Sequence, residues 1–206
     1  MDNRPMLSGH DLSCVRGGHP LFARLDLSVE PGHWLHVRGA NGTGKTSLLR
    51  LLAGLAVPDT GEVRWGERSI GQAGPDFRRE LIYLGHRAAV KDELTAHENL
   101  ELAAALDGCE LAQPQTLSVL RRFGLRGRED LPVRFLSAGQ KRRVLLARLV
   151  TRKARLWILD EPFTALDANA VNMLATVVDE HLSEGGMAVI TSHQAVPIAA
   201  GRVVDL

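Results

Sequence analysis

The sequence predicts an α/β fold with a mostly parallel core sheet, a β-rich N-terminal subdomain and an inserted helical subdomain. Three observations predict it. Short apolar runs at residues 34–37, 156–159 and 187–192 read as strands of a sheet buried on both faces. A glycine-rich loop at 39–44 joins the first of these to an apolar helix. Between the first and last thirds, residues 98–149 keep helical patterning.

The elements follow in order. Residues 12–15 read as a strand, and Leu25, Leu27 and Val29 alternate with polar residues as a second one does. The strand at 34–37 runs into glycine, and from Thr46 the pattern becomes Ser-Leu-Leu-Arg-Leu-Leu-Ala-Gly, a helix with Gly54 as its stop. Short strands are expected at 62–65 and 81–84, and the helical stretch is punctuated by Pro114 and residues 124–127. A strand at 156–159, a helix at 168–182 leaving through Gly185 and Gly186, and a strand at 187–192 complete the alternation. With 206 residues, 45% of them hydrophobic, the chain suits one domain. Within 1–206, residues 1–85 and 150–206 would form the core with its β subdomain and 90–149 the helical subdomain.

Charge excludes some classes of partner. With 25 Lys and Arg against 24 Asp and Glu, no global basic field argues for nucleic acid or for adsorption to anionic lipid, so no nucleic-acid partner is expected. The longest apolar stretches, such as 51–57 and 102–106, fall far short of the roughly 18 residues a spanning helix needs. The N-terminus lacks an apolar targeting core, so no direct membrane span is expected and any membrane part belongs to another chain. Cys14 and Cys109 have neither metal nor redox spacing and read as buried, reduced thiols of a cytosolic protein.

Gly39, Ala40, Asn41, Gly42, Thr43, Gly44, Lys45 and Thr46 fit G-x-x-x-x-G-K-[ST] between a strand and a helix, the context in which the pattern binds nucleotide phosphates. Glycines let backbone N–H groups curl around a β-phosphate, and the helix N-terminus adds its positive end. Lys45 would reach the β- and γ-phosphates, and the Thr46 hydroxyl would take a place on Mg²⁺. The strand at 156–159 ends in Asp160 and Glu161, where ligands of open α/β sheets bind. Asp160 is expected to hold Mg²⁺ through its water shell, and Glu161 to polarise the attacking water as general base.

Leu136, Ser137, Ala138, Gly139 and Gln140 precede an apolar helix, and Ser137 with Gln140 has capping-box spacing. Alone, these residues read as a capped helix start. Together with the two motifs above, they resemble the signature of the ABC ATPases, usually written Leu-Ser-Gly-Gly-Gln. The resemblance implies that Ser137, the glycine amides and the helix N-terminus contact the γ-phosphate held by a second copy, so that ATP is sandwiched in a head-to-tail homodimer. Ala165, Leu166 and Asp167 are similar to the family's D-loop at the dimer interface, and His193 to its switch histidine, which orients the water with Glu161. Two positions depart from the family. His86 stands where a glutamine usually touches Mg²⁺, and its imidazole can accept a water hydrogen bond or ligate a metal; a plain surface-loop histidine is the competing reading. Val15 and Arg16 stand where an aromatic residue usually stacks on adenine; Arg16 can stack its guanidinium plane there or be a solvated arginine.

The segments Leu-Ser-Ala-Gly-Gln-Lys-Arg-Arg-Val, Leu-Trp-Ile-Leu-Asp-Glu-Pro-Phe-Thr-Ala-Leu-Asp, Tyr-Leu-Gly-His and Thr-Ser-His-Gln resemble the ATP-binding subunits of bacterial cytochrome c maturation systems. That likeness implies a peripheral protein on the cytoplasmic face of the inner membrane. It would work with separate integral membrane subunits to release haem-loaded chaperone or to move haem or a related compound. No Cys-x-x-Cys-His or Cys-Pro pair is present and the eight histidines lack ligand spacing, so haem is expected on the partners. An ATPase subunit of another ABC permease, and a soluble ABC ATPase of DNA repair or translation, stay open as alternatives, although the chain carries one lysine site and no sustained heptads. A GTPase or small-molecule kinase would not explain residues 136–140. Lys141, Arg142 and Arg143 read as a solvated helix face.

Overall fold

The structure is a computed structural model that describes residues 5–86, 89–193, 196–199 and 201–206. Strands β1 (Leu7–Arg16) and β2 (His19–Val29) form an antiparallel hairpin around Gly17 and Gly18, both with left-handed φ. Both are longer than the sequence pattern suggests, because hairpin pairing recruits polar residues that break the alternation. With β4 (Thr60–Trp65) and β5 (Arg68–Ser69) they make a four-stranded antiparallel sheet in the order β2-β1-β4-β5.

The second sheet contains β3 (Trp34–Arg38), β6 (Leu81–Leu84), β7 (Leu156–Leu159), β8 (Met187–Thr191) and β9 (Arg202–Asp205). All neighbouring pairs run parallel, in the order β6-β7-β8-β3-β9. The carboxyl ends of β7, β8 and β3 therefore lie side by side at one edge of the sheet. The strand β9 has no apolar run of its own to betray it.

Both faces of this sheet are covered. Along β7, Leu156 and Ile158 join a cluster with Leu35, Leu48, Leu49 and Val189, between the two sheets. Trp157 and Leu159 join the opposite cluster with Leu100, Phe123, Leu145, Leu174 and Ile190. A fully buried aliphatic side chain contributes roughly 1.5–3 kcal/mol, so this alternation commits the strand to a two-sided core.

Helix α1 (Lys45–Leu52) lies between the sheets, and its chain leaves through Gly54 at φ 69°. An unanticipated helix, α2 (Ile70–Arg79), begins with a Ser69–Gln72 capping box and breaks its backbone at Gly74, before Pro75. The helical stretch resolves into α3 (Ala96–Leu106), α4 (Gln113–Arg122) and α5 (Ala138–Ala147). Pro114 does not separate helices but sits in the first turn of α4, where its missing N–H costs nothing. Helix α6 (Ala168–Ser183) precedes β8. Both cysteines are free; Cys14 is buried as expected, whereas Cys109 is half-buried. Among the described residues, no helix is long and apolar enough to cross a membrane.

Candidate functional site

The loop after β3 wraps over the start of α1. Gly39, Gly42 and Gly44 take φ of 149°, 86° and 106°, conformations that side-chain-bearing residues rarely adopt. At Gly39 space is also short, since a Cβ would lie 2.6 Å from Thr43 Oγ1 and 2.8 Å from the Leu206 carbonyl oxygen. Gly44 caps α1 without a side-chain acceptor, so the first N–H groups of the helix face the loop. Lys45, 8% exposed, donates from Nζ to the carbonyls of Gly39 at 2.8 Å and Ala40 at 3.0 Å. Thr43 Oγ1 also donates to the Ala40 carbonyl, at 3.0 Å.

Asp160, at the end of β7, is 2% exposed. Its Oδ2 accepts from Thr46 Oγ1 at 2.7 Å and its Oδ1 from Thr191 Oγ1 at 2.8 Å. The Thr191 hydroxyl in turn accepts the backbone N–H of Glu161 at 2.8 Å. Glu161 has φ 50°, a left-handed conformation costing a non-glycine residue roughly 1–2 kcal/mol. Its Oε1 is buried and makes no hydrogen bond among the described residues; His193 Nε2 approaches it at 3.3 Å. The Glu161 carboxyl is thus aimed at, and close to, a half-exposed imidazole.

One cavity of about 600 Å³ gathers Asn41, Lys45, Thr46, His86, Asp160, Glu161 and His193 on its wall. His86 is exposed there. Arg16 is not on that wall; its Nη1 donates to the Val15 carbonyl at 2.8 Å and lies 3.8 Å from Asp59 Oδ2, while Leu21 lines the cavity. Gln194, which ends the Thr-Ser-His-Gln segment, lies outside the described residues.

The segment 136–140 sits at the start of α5. Leu136 is buried, and exposed Ser137 caps the helix. Gln140 N–H donates to Ser137 Oγ at 3.2 Å, and Ser137 N–H to Gln140 Oε1 at 2.9 Å. Because Oγ is an acceptor in the cap, its own O–H stays available as a donor. Ala138 is exposed, and a Cβ on Gly139 would lie 2.9 Å from the Ala165 carbonyl oxygen. Ala165 is itself left-handed at φ 64°, Leu166 packs on the core, and Asp167 caps α6 by accepting the Ala170 N–H at 2.9 Å. Asp167 also pairs with Arg143.

The expectation that residues 141–143 form a solvated face is overturned. Lys141 pairs with Asp92 at 2.7 Å, Arg143 with Asp167, and Arg142 is 7% exposed. The signal was present in the spacing: Leu145, Leu146 and Leu149 stand three, four and seven positions after Arg142 and are buried, so Arg142 shares their helix face. Thr191, within an apolar strand, carried no comparable signal.

Burial perturbs several groups near the site. It holds the His36 imidazole below its ordinary range, with the Ser192 carbonyl, 3.3 Å from His36 Nε2, opposing. Burial, reinforced by the Asp160 charge, pushes the Tyr83 phenol up.

The family model described as "ABC transporter" matches residues 22–164. The cytochrome c biogenesis ATP-binding export protein CcmA of Dechloromonas aromatica is 55% identical over 201 residues, covering 98% of both chains. The protein of the same name from Nitrosomonas europaea is 51% identical over 92% of this chain and 89% of its own. An ABC transporter ATP-binding protein from Pyrococcus furiosus, 24% identical, superposes with a TM-score of 0.85 over 98% of this chain and 97% of its own. An ATP-binding cassette solved as a dimer with ADP and phosphate gives 0.79 at 20% identity, over 91% of this chain and 88% of its own. The two low-identity likenesses establish the fold alone. The family match and the near full-length relatives carry the assignment further, and by them this chain belongs to the ABC transporter family as one of its ATP-binding, ATP-hydrolysing subunits.

Proposed function

We propose that the chain powers a cytochrome c maturation export complex from the cytoplasmic face of the bacterial inner membrane, acting through separate membrane subunits that move haem or release a haem-loaded chaperone. The observation that carries this reading is the likeness, from end to end, to relatives named for cytochrome c biogenesis and export. A groove of about 630 Å³, lined by Leu55, Val57, Phe77, Tyr83 and Arg152, suits an apolar segment of such a membrane subunit. Leu55 is 54% and Val57 82% exposed there. In this reading residues 90–149 act as the helical subdomain against the core of 1–85 and 150–206.

The loop 39–46 would hold the phosphates of ATP, with the amides of Gly42 and Gly44 and the N-terminus of α1 facing their charge. Lys45 would exchange its loop carbonyls for phosphate oxygens. Arg16, if it reaches the base, must first leave Asp59. The donors present fit Mg²⁺, since the Thr46 hydroxyl and Asp160 carboxylate, 2.7 Å apart, are hard oxygens, and His86 would act through water. When bound, the ion would neutralise charge on the β- and γ-phosphate oxygens. Glu161 would take the proton of the attacking water, and His193 would orient that water against it. Two copies would close on two ATP molecules, each lending Leu136, Ser137, Ala138, Gly139 and Gln140 to the other's phosphates, while Ala165, Leu166 and Asp167 cross between them.

Isolation of Glu161→Gln with ATP from its native membranes tests this reading. Cytochrome-maturation membrane subunits in the eluate, with haem absorbance in the complex, are expected. A different permease, or no membrane protein, overturns the cytochrome c assignment while leaving the ATPase intact.

A further inference from the structure

Arg142 is a buried guanidinium whose acceptors are all main-chain carbonyls. Its Nη2 donates to the carbonyl of Glu161 at 2.7 Å and to that of Asp160 at 3.1 Å. Its Nε reaches the Pro162 carbonyl at 3.4 Å, and Nη1 makes a longer contact with the His86 carbonyl at 3.5 Å. Burial lowers its pKa, opposed by the charges of Asp160 and Glu161; an arginine remains protonated under such a shift.

Desolvating a guanidinium is costly unless its donors are satisfied, and no carboxylate side chain hydrogen-bonds this one among the described residues. Its contacts are instead concentrated on three successive residues around Glu161. At that residue the backbone is in the left-handed region, with its N–H held by Thr191 and its C=O held by Arg142. Strain of this kind persists only where the surroundings over-determine it. The two clamps come from different places: Thr191 from the neighbouring strand β8, Arg142 from α5, five positions after Ser137.

We infer that Arg142 is a positioning residue that holds Glu161 in its left-handed conformation and links it to the helix that Ser137 caps. Movement of α5 then shifts the Glu161 carboxyl relative to the water it activates. A site facing one copy's phosphates through Ser137 is in this way mechanically joined to the other copy's hydrolytic carboxylate. The inference rests on the reading of Glu161 as the general base.

The test uses the full chain purified with its accompanying membrane proteins and compares Arg142→Gln, Arg142→Lys and Glu161→Gln. For each variant kcat and KM are measured, with the Kd of a fluorescent ATP analogue and a thermal melt. A displaced base costs about 10²-fold in rate, and that loss in kcat is expected for Arg142→Gln with the Kd changed less than about twofold. Arg142→Lys, which keeps the charge but not the fork, should fall between it and the native protein. Wild-type kcat in folded Arg142→Gln, or kcat and Kd failing together, overturns the inference. Should Arg142→Gln not fold, Arg142→Lys decides: reduced kcat at unchanged Kd supports the inference, and native kcat overturns it. Turnover by Glu161→Gln would instead remove the general base itself, an outcome separable from either.

Discussion

Trp157 and His181 lie face to face, ring centroids 3.7 Å apart and planes within 4° of parallel. His181 Nε2 sits 3.1 Å from the Met187 carbonyl, so the neutral ring carries its proton there. Burial holds this imidazole below its ordinary 6.5, with the Met187 carbonyl, Glu184 and the Arg155 carbonyl opposing. The unfolded chain therefore takes up the proton first as pH falls. The contribution is complete above pH 6.5 and is lost as pH falls through the folded pKa. Thermal melts at about pH 7.5 and about pH 5.5 should show a lower Tm at the acid value, and His181→Gln should reduce that difference. His36, lowered in the same direction, should keep part of it. An unchanged pH dependence in His181→Gln would remove His181 as a source.

The space beside that ring is closed. A Cβ on Gly186 would lie 2.3 Å from His181 Cε1 and 2.4 Å from its Nε2. Gly186→Ala should destabilise the chain by about 1–3 kcal/mol through overpacking, read as a lower midpoint in urea at unchanged slope.

The Thr191 hydroxyl bridges the Asp160 carboxylate and the Glu161 main chain, donating to Asp160 Oδ1 and accepting from the Glu161 N–H. Valine has nearly the same shape and neither capacity. Thr191→Val should cost about 1–3 kcal/mol, because a buried N–H and a carboxylate oxygen each lose a partner. It should also lower kcat more than it raises KM. Equal stability in a denaturant titration would contradict the bridging role.

Glu161→Gln keeps the shape of the site and removes the carboxylate proposed to activate water. Phosphate release should fall by about 10²–10⁴-fold, with ATP analogue binding retained. Native turnover in the variant would exclude Glu161 as the base.

In that slow background, ATP should hold two copies together, and size-exclusion chromatography should report the dimer. Ser137 is exposed at the start of α5, and arginine there adds bulk and charge to the face proposed to close on the second copy. Ser137→Arg combined with Glu161→Gln should elute as a monomer with ATP while still binding the nucleotide. A dimer would refute the sandwich.

The wall of the candidate site was legible where its residues are contiguous. A strand, a glycine loop and a helix in succession announce Lys45 and Thr46, and an apolar strand ending in two acids announces Asp160 and Glu161. What escaped acts across the chain through the backbone. Thr191 lies 31 positions from Asp160, and Arg142 reaches carbonyls 18 and 19 positions away. Carbonyl acceptors leave no side-chain pattern in a sequence, and a run of three basic residues looks solvated until its register against Leu145, Leu146 and Leu149 is traced. In the fold, β9 and α2 escaped for related reasons: one is held by pairing with β3 rather than by an apolar run, and the other contains Gly74 and Pro75.

The strand order has a consequence for biogenesis. Strand β8 is inserted between β7 and β3, although it is made after both. Before residues 187–191 are made, β7 can pair with β6, but the strand that joins it to β3 is missing, and with it the ladder that sets Asp160 beside Thr46. The Asp160–Thr46 pair is thus framed by a strand made after both of its residues, so the order of synthesis leaves the ladder beneath the phosphate loop to be completed late.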